Sequence, residues 1–422
     1  MTAARADPPS VSIEAADQIL LPPDPGLPHL RGSALAAQTL VPGSLAVRDG
    51  VIAAFGDDPL AELTVDARGC AVIPGFVDCH THLPFAGWRP DEYQQKLAGI
   101  PYEEIARSGG GIRASARALA ESSDDAVLAQ ATALAAEMLA TGTTTFECKS
   151  GYGLSRQNEM RALVLARELE IQVPQTTVST ALLAHAVPDG YTADDWMAVV
   201  QEMMPEVISA GSVTALDIFV ESIAFSNEHL TMMGALAGAA GLALRTHVEQ
   251  FGGLRSVPVA LEAGARSVDH LSTIGPEDIG PLAAAPCAAV LLPAAEFLGA
   301  EQRAPARALV DAGAIVVLAT DFNPGTAPVT SMPLVIGLAA RLYGLSVLEA
   351  LGAATLNGAW VLGLEHDRGS LEVGKRADLL LLDGPAEMIP YRFGHNPVAA
   401  AFIGGEPVYV RDEAAAARLQ WT

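Results

Sequence analysis

Lysine is scarce in this chain, which contains only Lys96, Lys149 and Lys375. With arginine added there are 25 basic residues against 49 acidic ones, a formal charge of −24 at neutral pH. A protein that grips a phosphate backbone needs a basic surface to displace counterions, so nucleic-acid binding is excluded. The same field repels anions at long range, and any anion site must rely on local arginines or backbone donors. Cysteine is scarce too. Cys70, Cys79, Cys148 and Cys287 form no CxxC pair and no disulfide-type spacing, and are expected to be reduced core residues. Long apolar runs are lacking, since a stretch such as Met232–Leu244 is too short to span a bilayer. The opening MTAARADPPS has no basic segment followed by an apolar one, and no short-period repeat or low-complexity tract occurs. The expectation is a cytoplasmic protein with neither membrane nor nucleic-acid partners.

What is present, 50% apolar residues over 422 positions, suffices for a large buried core. Between Pro74 and Asp321, β-rich apolar segments alternate with helix-period stretches, the pattern of repeated βα units around a parallel sheet. Eight strands are predicted, at Phe76–His82, Thr143–Lys149, Thr177–His185, Leu216–Glu221, Leu242–Glu249, Arg266–His270, Ala288–Pro293 and Ile315–Asp321. The fold class is therefore α/β, a closed (β/α)8 barrel of the TIM type. Helices are expected at Asp124–Ala140, opening on a capping carboxylate and stopping at Gly142, and at Glu159–Glu170 before Pro174. Strand–turn–strand units at Gly43–Gly56, Gly369–Gly384 and Val398–Val410 flank the barrel. Residues 1–72 and 367–422 are thus expected to build one small composite β-domain around a barrel of residues 73–366. The Pro-rich Leu21–Pro28 reads as a loop. The long insertion after the first barrel strand carries Ser108-Gly109-Gly110-Gly111, a mobile lid or an anion nest by composition, without the GxxxxGK[ST] of a P-loop.

The polar residues His80, His82, Lys149, His185, Glu221, His247, His270 and Asp321 fall at or near predicted strand C-termini, the face that carries barrel active sites. His29, His229, His366 and His395 fall in expected helices or loops, where surface or capping roles suffice. His80 and His82 are two apart on a strand, so both face the barrel mouth, as metal ligands or as a structural pair. With His247 and Asp321 they complete a three-nitrogen, one-oxygen shell. A divalent ion there lowers the pKa of a bound water from 15.7 to about 7. Asp321 is alternatively a helix cap. His270 is a ligand, a group that polarises a carbonyl and orients water, or a hydrogen-bonded core histidine. Lys149, if carbamylated, would bridge two metals, a reading ranked below the single-metal site. Tyr152, in the SGYG loop, offers a phenol to a ligand or simply packs. Arg89 would clamp a substrate carboxylate, or else pair at the surface with Asp91 or Glu92. Asn323-Pro324-Gly325-Thr326 adds an amide, a hydroxyl and backbone donors at the same rim.

The segments PGFVDCHTHLPFAGWR, YEEIARSGGGI, TGTTTFECKSGYGL, LLAHAVP, THVEQ, VDHL, LLP, LATDFNPGT and EVGKRADLLLLD carry a family resemblance. From about Gly43 to Val410 the chain resembles the amidohydrolase superfamily, and within it the imidazolonepropionase family of histidine degradation. The resemblance implies hydrolysis of 4-imidazolone-5-propanoate to N-formimidoyl-L-glutamate with one divalent metal ion, zinc or iron. It implies metal binding by His80, His82, His247 and Asp321, and substrate contacts from Arg89, Tyr152, His185, Gln250 and Thr326, with Asn323 and Gly325 at the product's end. It further implies proton movement by Asp321 and His270 beside Gln250, and a homodimer. Where many relatives have HxxE on the fifth strand this chain reads His247-Val248-Glu249-Gln250. A neutral amide cannot shuttle a proton, which disfavours deamination, and Glu249 faces the other side of the strand. The amino-terminal extension and LLPAAEF depart from the family pattern. The alternatives are a superfamily deaminase or cyclic amidase acting on another ring, and a metal-free barrel that only binds a heterocycle.

Overall fold

The computed structural model describes residues 8–299 and 302–422. Eight strands form one parallel sheet in chain order: Phe76–Asp78, Thr143–Lys149, Thr176–Ala184, Val213–Val220, Ala243–Val248, Ser267–His270, Ala288–Leu291 and Ile315–Leu318. A parallel bridge between Thr81 and Phe322 brings the first segment to the last, so the sheet closes into the expected barrel. All eight predicted strands are found. Several are shorter at the C-terminal end, because the chain leaves the ladder before its functional residue. His80 and His82 lie just past their strand, held by the Thr81 bridge and by the His82 N–H donating to the Phe322 carbonyl at 2.8 Å. His270 at φ 81° and Asp321 at φ 56° occupy the left-handed region. That conformation costs an ordinary residue about 1–3 kcal/mol and persists only where surroundings enforce it.

The helix at Asp124–Ala140 is as predicted, and the next runs over Arg156–Gln172, with Ser155 as its N-cap accepting from the Asn158 N–H at 3.2 Å. The glycine loop joins helices Tyr102–Arg107 and Ile112–Glu121. Its nest is filled from within the chain, since the Gly111 N–H donates to Glu92 Oε1 at 2.8 Å. All four cysteines are buried and free. Among the described residues no helix is long and apolar enough to cross a membrane.

A second sheet, of nine strands, draws on both ends of the chain. Ala71–Pro74 pairs antiparallel with Leu379–Leu382, and Leu63–Asp66 with Leu419–Trp421, while Val11–Leu21 lies between Thr39–Arg48 and the strands at 63–66 and 71–74. Its core is aliphatic and fully buried, with Val11, Ile13, Leu45, Val65, Val72, Leu379 and Phe402 at its centre. The hairpins at 43–56 and 398–410 are as expected. Gly369–Gly384 is a correction: only Leu379–Leu382 is strand, and residues before it turn. The strand Val11–Leu21, in the amino-terminal extension, was not foreseen. By compactness the chain divides into one unit of residues up to 79 with 136–145 and 331–422, and another of 80–135 and 146–330. The first unit thus takes in the helices at Met332–Tyr343, Val347–Ala353 and Leu356–Val361.

Candidate active site

Every functional group described next lies in the second unit. His80, His82 and His247 each offer a ring nitrogen within 4.8 Å of the others, and His80, His270 and Asp321 form a second such group. All are buried. Nδ1 of His80 donates to Asp269 Oδ2 at 2.6 Å, and Nδ1 of His247 to Asp217 Oδ1 at 3.1 Å. Each bond fixes the ring's orientation and turns Nε2 inward. Nε2 of His80, Nε2 of His247 and Nδ1 of His82 have no hydrogen-bond partner among the described residues. A buried nitrogen left bare is costly unless something absent from the polypeptide satisfies it. Asp321 Oδ1 stands 3.4 Å from His80 Nε2 and 3.3 Å from His82 Nε2. The donor set therefore fits one divalent ion of the kind imidazole and carboxylate hold in a four-ligand shell. Burial drives His82 and His270 down to about 3, so both are neutral imidazoles. Burial opposes the Asp321 carboxylate, but the imidazoles of His80 and His82, with His270 behind them, hold its pKa well below the usual range.

Behind the histidines runs a chain of buried charges that sequence reasoning missed. Asp269 accepts from Arg245 Nη2 at 2.9 Å, Arg245 Nη1 reaches Glu147 Oε1 at 2.6 Å, Glu147 Oε2 lies 2.9 Å from Lys149 Nζ, and Lys149 Nζ donates to Asp217 Oδ2 at 2.6 Å. The two ligand-orienting carboxylates are thus tied together across the barrel interior through alternating signs. Burial and the charge of Arg245 oppose the Lys149 ammonium, and Asp217, Glu147 and Asp269 outweigh them. Lys149 is thus paired on both sides, with Glu147 and with Asp217, as a structural ion pair within the barrel. The missed signal is that Glu147, Arg245 and Ser267 each lie two residues before Lys149, His247 and Asp269, on the same inward strand face.

The pocket over the histidines is lined by Arg89, Tyr102, Tyr152, His185, Phe219, Gln250, Phe251, Asn323 and Thr326. Arg89 is no surface residue. It is 8% exposed, its Nε donates to Glu92 Oε2 at 3.0 Å and its Nη1 to Ser115 Oγ. The guanidinium lies against Gly325, where a Cβ would come 1.9 Å from Nη2, so only glycine leaves room for it. His185 Nδ1 lies 3.0 Å from the Gly151 carbonyl, which can only accept, so Nδ1 carries the hydrogen and Nε2 is an acceptor. Burial pushes the Tyr152 hydroxyl well above its ordinary value, keeping it a phenol and a donor. Its loop is organised by Glu159, which accepts from the N–H groups of Gly151, Gly153 and Leu154 at 2.9, 2.7 and 2.9 Å. Glu221 does the same for the loop after the fifth strand, taking the N–H of Gln250 at 2.7 Å and of Phe251 at 3.0 Å.

Asn323 differs from its expected part. Its Nδ2 donates to the Asp321 carbonyl at 2.6 Å and to Thr326 Oγ1 at 2.8 Å, and its Oδ1 accepts from Gly325 and Thr326 N–H at 2.9 and 2.7 Å. The amide is committed to its own loop, and the Gly325 N–H with it. Thr326 Oγ1 accepts there and keeps its O–H for the pocket. Glu249 accepts from the Ser256 N–H at 2.6 Å, away from the histidines. The four histidines outside the cluster include His229 in a helix capping box and His395 on Asp383 at 2.9 Å.

Residues 71–408 match the amidohydrolase family. The imidazolonepropionase of Rubrobacter xylanophilus is 45% identical over 393 residues, covering 89% of this chain and 93% of that protein. That of Deinococcus radiodurans is 41% identical, covering 92% and 96%. Among solved structures, a zinc-bound adenosine deaminase from Xanthomonas campestris superposes with a TM-score of 0.71 at 21% identity, covering 97% of both chains. A triazine hydrolase variant gives 0.69 at 18%, covering 97% and 98%. These two likenesses concern the fold.

Proposed function

The chain belongs to the amidohydrolase family and to its imidazolonepropionase branch, and from that premise we propose that it hydrolyses 4-imidazolone-5-propanoate to N-formimidoyl-L-glutamate. One observation carries the substrate reading: Arg89, a buried cation, shares a pocket with the imidazoles of His82, His185, His247 and His270. His80, His82, His247 and Asp321 would hold one ion, zinc or iron. Such an ion, when bound, supplies Lewis acidity that acidifies water and polarises a carbonyl.

The chain's own residues divide the remaining work. Arg89 takes the propanoate in a charge-assisted pair, its guanidinium set by Glu92 and Ser115. Tyr152 donates to the ring, and His185, whose Nε2 is a lone pair, accepts from a ring N–H. Thr326 donates its hydroxyl, and Asn323 and Gly325 shape the seat of Arg89. Asp321 takes the proton of the attacking water at a carboxylate oxygen and returns it to the ring nitrogen as the C–N bond breaks, with neutral His270 orienting the water. Gln250 stands where deamination would need an acid, and an amide contacts substrate without transferring a proton.

The test is hydrolysis of freshly generated 4-imidazolone-5-propanoate, followed by loss of its ultraviolet band, in wild type and Arg89→Ala. Losing a charged hydrogen-bond partner is worth about 1.5–3 kcal/mol, so kcat/KM is expected to fall at least about tenfold. Unchanged turnover in Arg89→Ala would mean that no anionic tail binds there and would remove the substrate assignment.

A further inference from the structure

Lys96 has no part in the reaction above. It lies at the end of the helix Pro90–Leu97 that Arg89 begins, half-buried, with its ammonium 5.4 Å from the centre of the Tyr102 ring. Among the described residues no hydrogen bond or ion pair engages that ammonium. Across from it the wall is Gly299, where even a Cβ would stand 3.2 Å from Nζ. In a chain of charge −24 with three lysines, a half-buried cation held by no carboxylate among the described residues is out of keeping with its surroundings. Lys149 is paired twice over, and Lys375 with Glu372 at 3.0 Å.

The space beside Lys96 is the second observation. A chamber of about 470 Å³ is lined by Lys96, Tyr102, Gln250 and Phe251. A small cavity of about 20 Å³ is lined by Lys96, Gln250 and Phe251 together with His270 and Thr326. The cavity at the histidines, about 30 Å³, shares Tyr102, Gln250, Phe251, His270 and Thr326 with these two. Lys96 therefore lines both the roomy chamber and the small cavity, each of which shares residues with the catalytic pocket.

We propose that this chamber is a second carboxylate-binding site, with Lys96 as its cation, through which the acid substrate enters and the dicarboxylate product leaves. The inference rests on the hydrolysis proposed above. Opening the ring adds water across the C–N bond: the carbonyl carbon gains the hydroxyl and, releasing a proton to solvent, becomes a carboxylate, while the nitrogen gains the other proton. One carboxylate goes in and two come out. Arg89 accounts for the propanoate end, and Lys96 supplies the only unpaired ammonium among the described residues of the adjoining chamber for the new one. An unneutralised cation at the entrance also offsets locally the repulsion that the rest of the molecule exerts on anions.

The experiment uses the metal-loaded full chain. Inhibition by N-formimidoyl-L-glutamate and calorimetric binding of glutarate, a stable five-carbon diacid, are compared in wild type, Lys96→Gln, Lys96→Arg and Gly299→Val. Lys96→Gln is expected to raise both constants about tenfold and to flatten the salt dependence of kcat/KM, because a charge at the rim acts on the rate of encounter. Lys96→Arg restores both, metal content stays at the wild-type level, and Gly299→Val, crowding the ammonium from the opposite wall, weakens diacid binding in the same sense. Constants and salt dependence equal to wild type in Lys96→Gln would overturn the proposal. Wild-type enzyme inert toward 4-imidazolone-5-propanoate would instead remove the assignment beneath it, while glutarate binding that falls in Lys96→Gln would still support an anion site.

Discussion

Asp321 combines an apolar strand, a left-handed backbone and a carboxylate beside two imidazoles, three conditions that are unfavourable singly and tolerated together only around a ligand. Asp321→Asn keeps the three histidines but removes the proton carrier. Turnover is expected to fall by about 10²–10⁴-fold, the usual worth of a positioned acid or base, while metal analysis still finds bound ion. Retained activity would take the proton-transfer role from Asp321. Gly325→Ala tests a different kind of residue, one whose contribution to the seat of Arg89 is the lack of a side chain. The methyl would overlap the Arg89 guanidinium and displace it, so KM is expected to rise about tenfold, the loss of a charge-assisted contact, with kcat and metal content little changed. An Ala variant with the wild-type KM would show that Arg89 can hold substrate from elsewhere.

The strands and loops place these residues by buried ionic contacts more than by packing. The alternation of Asp269, Arg245, Glu147, Lys149 and Asp217 spans strands two, four, five and six, so it both braces the barrel and sets which nitrogen of His80 and His247 faces inward. Truncating one member leaves its partners as uncompensated buried charges. Lys149→Met is expected to lose about 3–5 kcal/mol of stability by thermal or chemical unfolding. Because Asp217 then orients His247 less firmly, metal affinity in a competition titration should drop about 10–100-fold. A stable Lys149→Met protein with unaltered metal affinity would reduce the chain of charges to filler. Glu159 and Glu221 act on loops in the same manner, turning a carboxylate inward to gather successive N–H groups and so presenting Tyr152 and Gln250 to the pocket.

For the molecule as a whole, metal occupancy and reaction type are the open measurements. Chelation is expected to abolish turnover reversibly, with zinc or iron restoring it, and to lower the melting temperature as the three buried imidazoles lose their common partner. A chelated protein that melts and turns over as before would mean that no ion takes part in the fold or the reaction. The fold itself was largely readable beforehand, for a local reason: each βα unit announces itself by its own hydrophobic period, and eight of them in a row leave few architectures. The errors lie where local signals give out. Gly369–Gly384 alternates like two strands but forms one, and Val11–Leu21 is a strand because residues 63–66 and 71–74 pair with it from a distance.

Position along the chain told which side chains gather at the barrel mouth, because strand C-termini of a parallel barrel converge whatever the strands' contents. Thus His80, His82, His247, His270 and Asp321 stand out as a group in the sequence alone. Their partners were not. His80 and Asp269 are 189 residues apart and His247 and Asp217 30 apart, and nothing local links either pair. Whether His185 donates or accepts, whether Asn323 is free, whether Arg89 is a surface ion pair or a buried clamp, and that Lys96 faces a chamber, all depend on contacts through space. Closure of the barrel decides these, since only then do the inward faces of non-adjacent strands share one low-dielectric interior where every charge must find an opposite or a ligand.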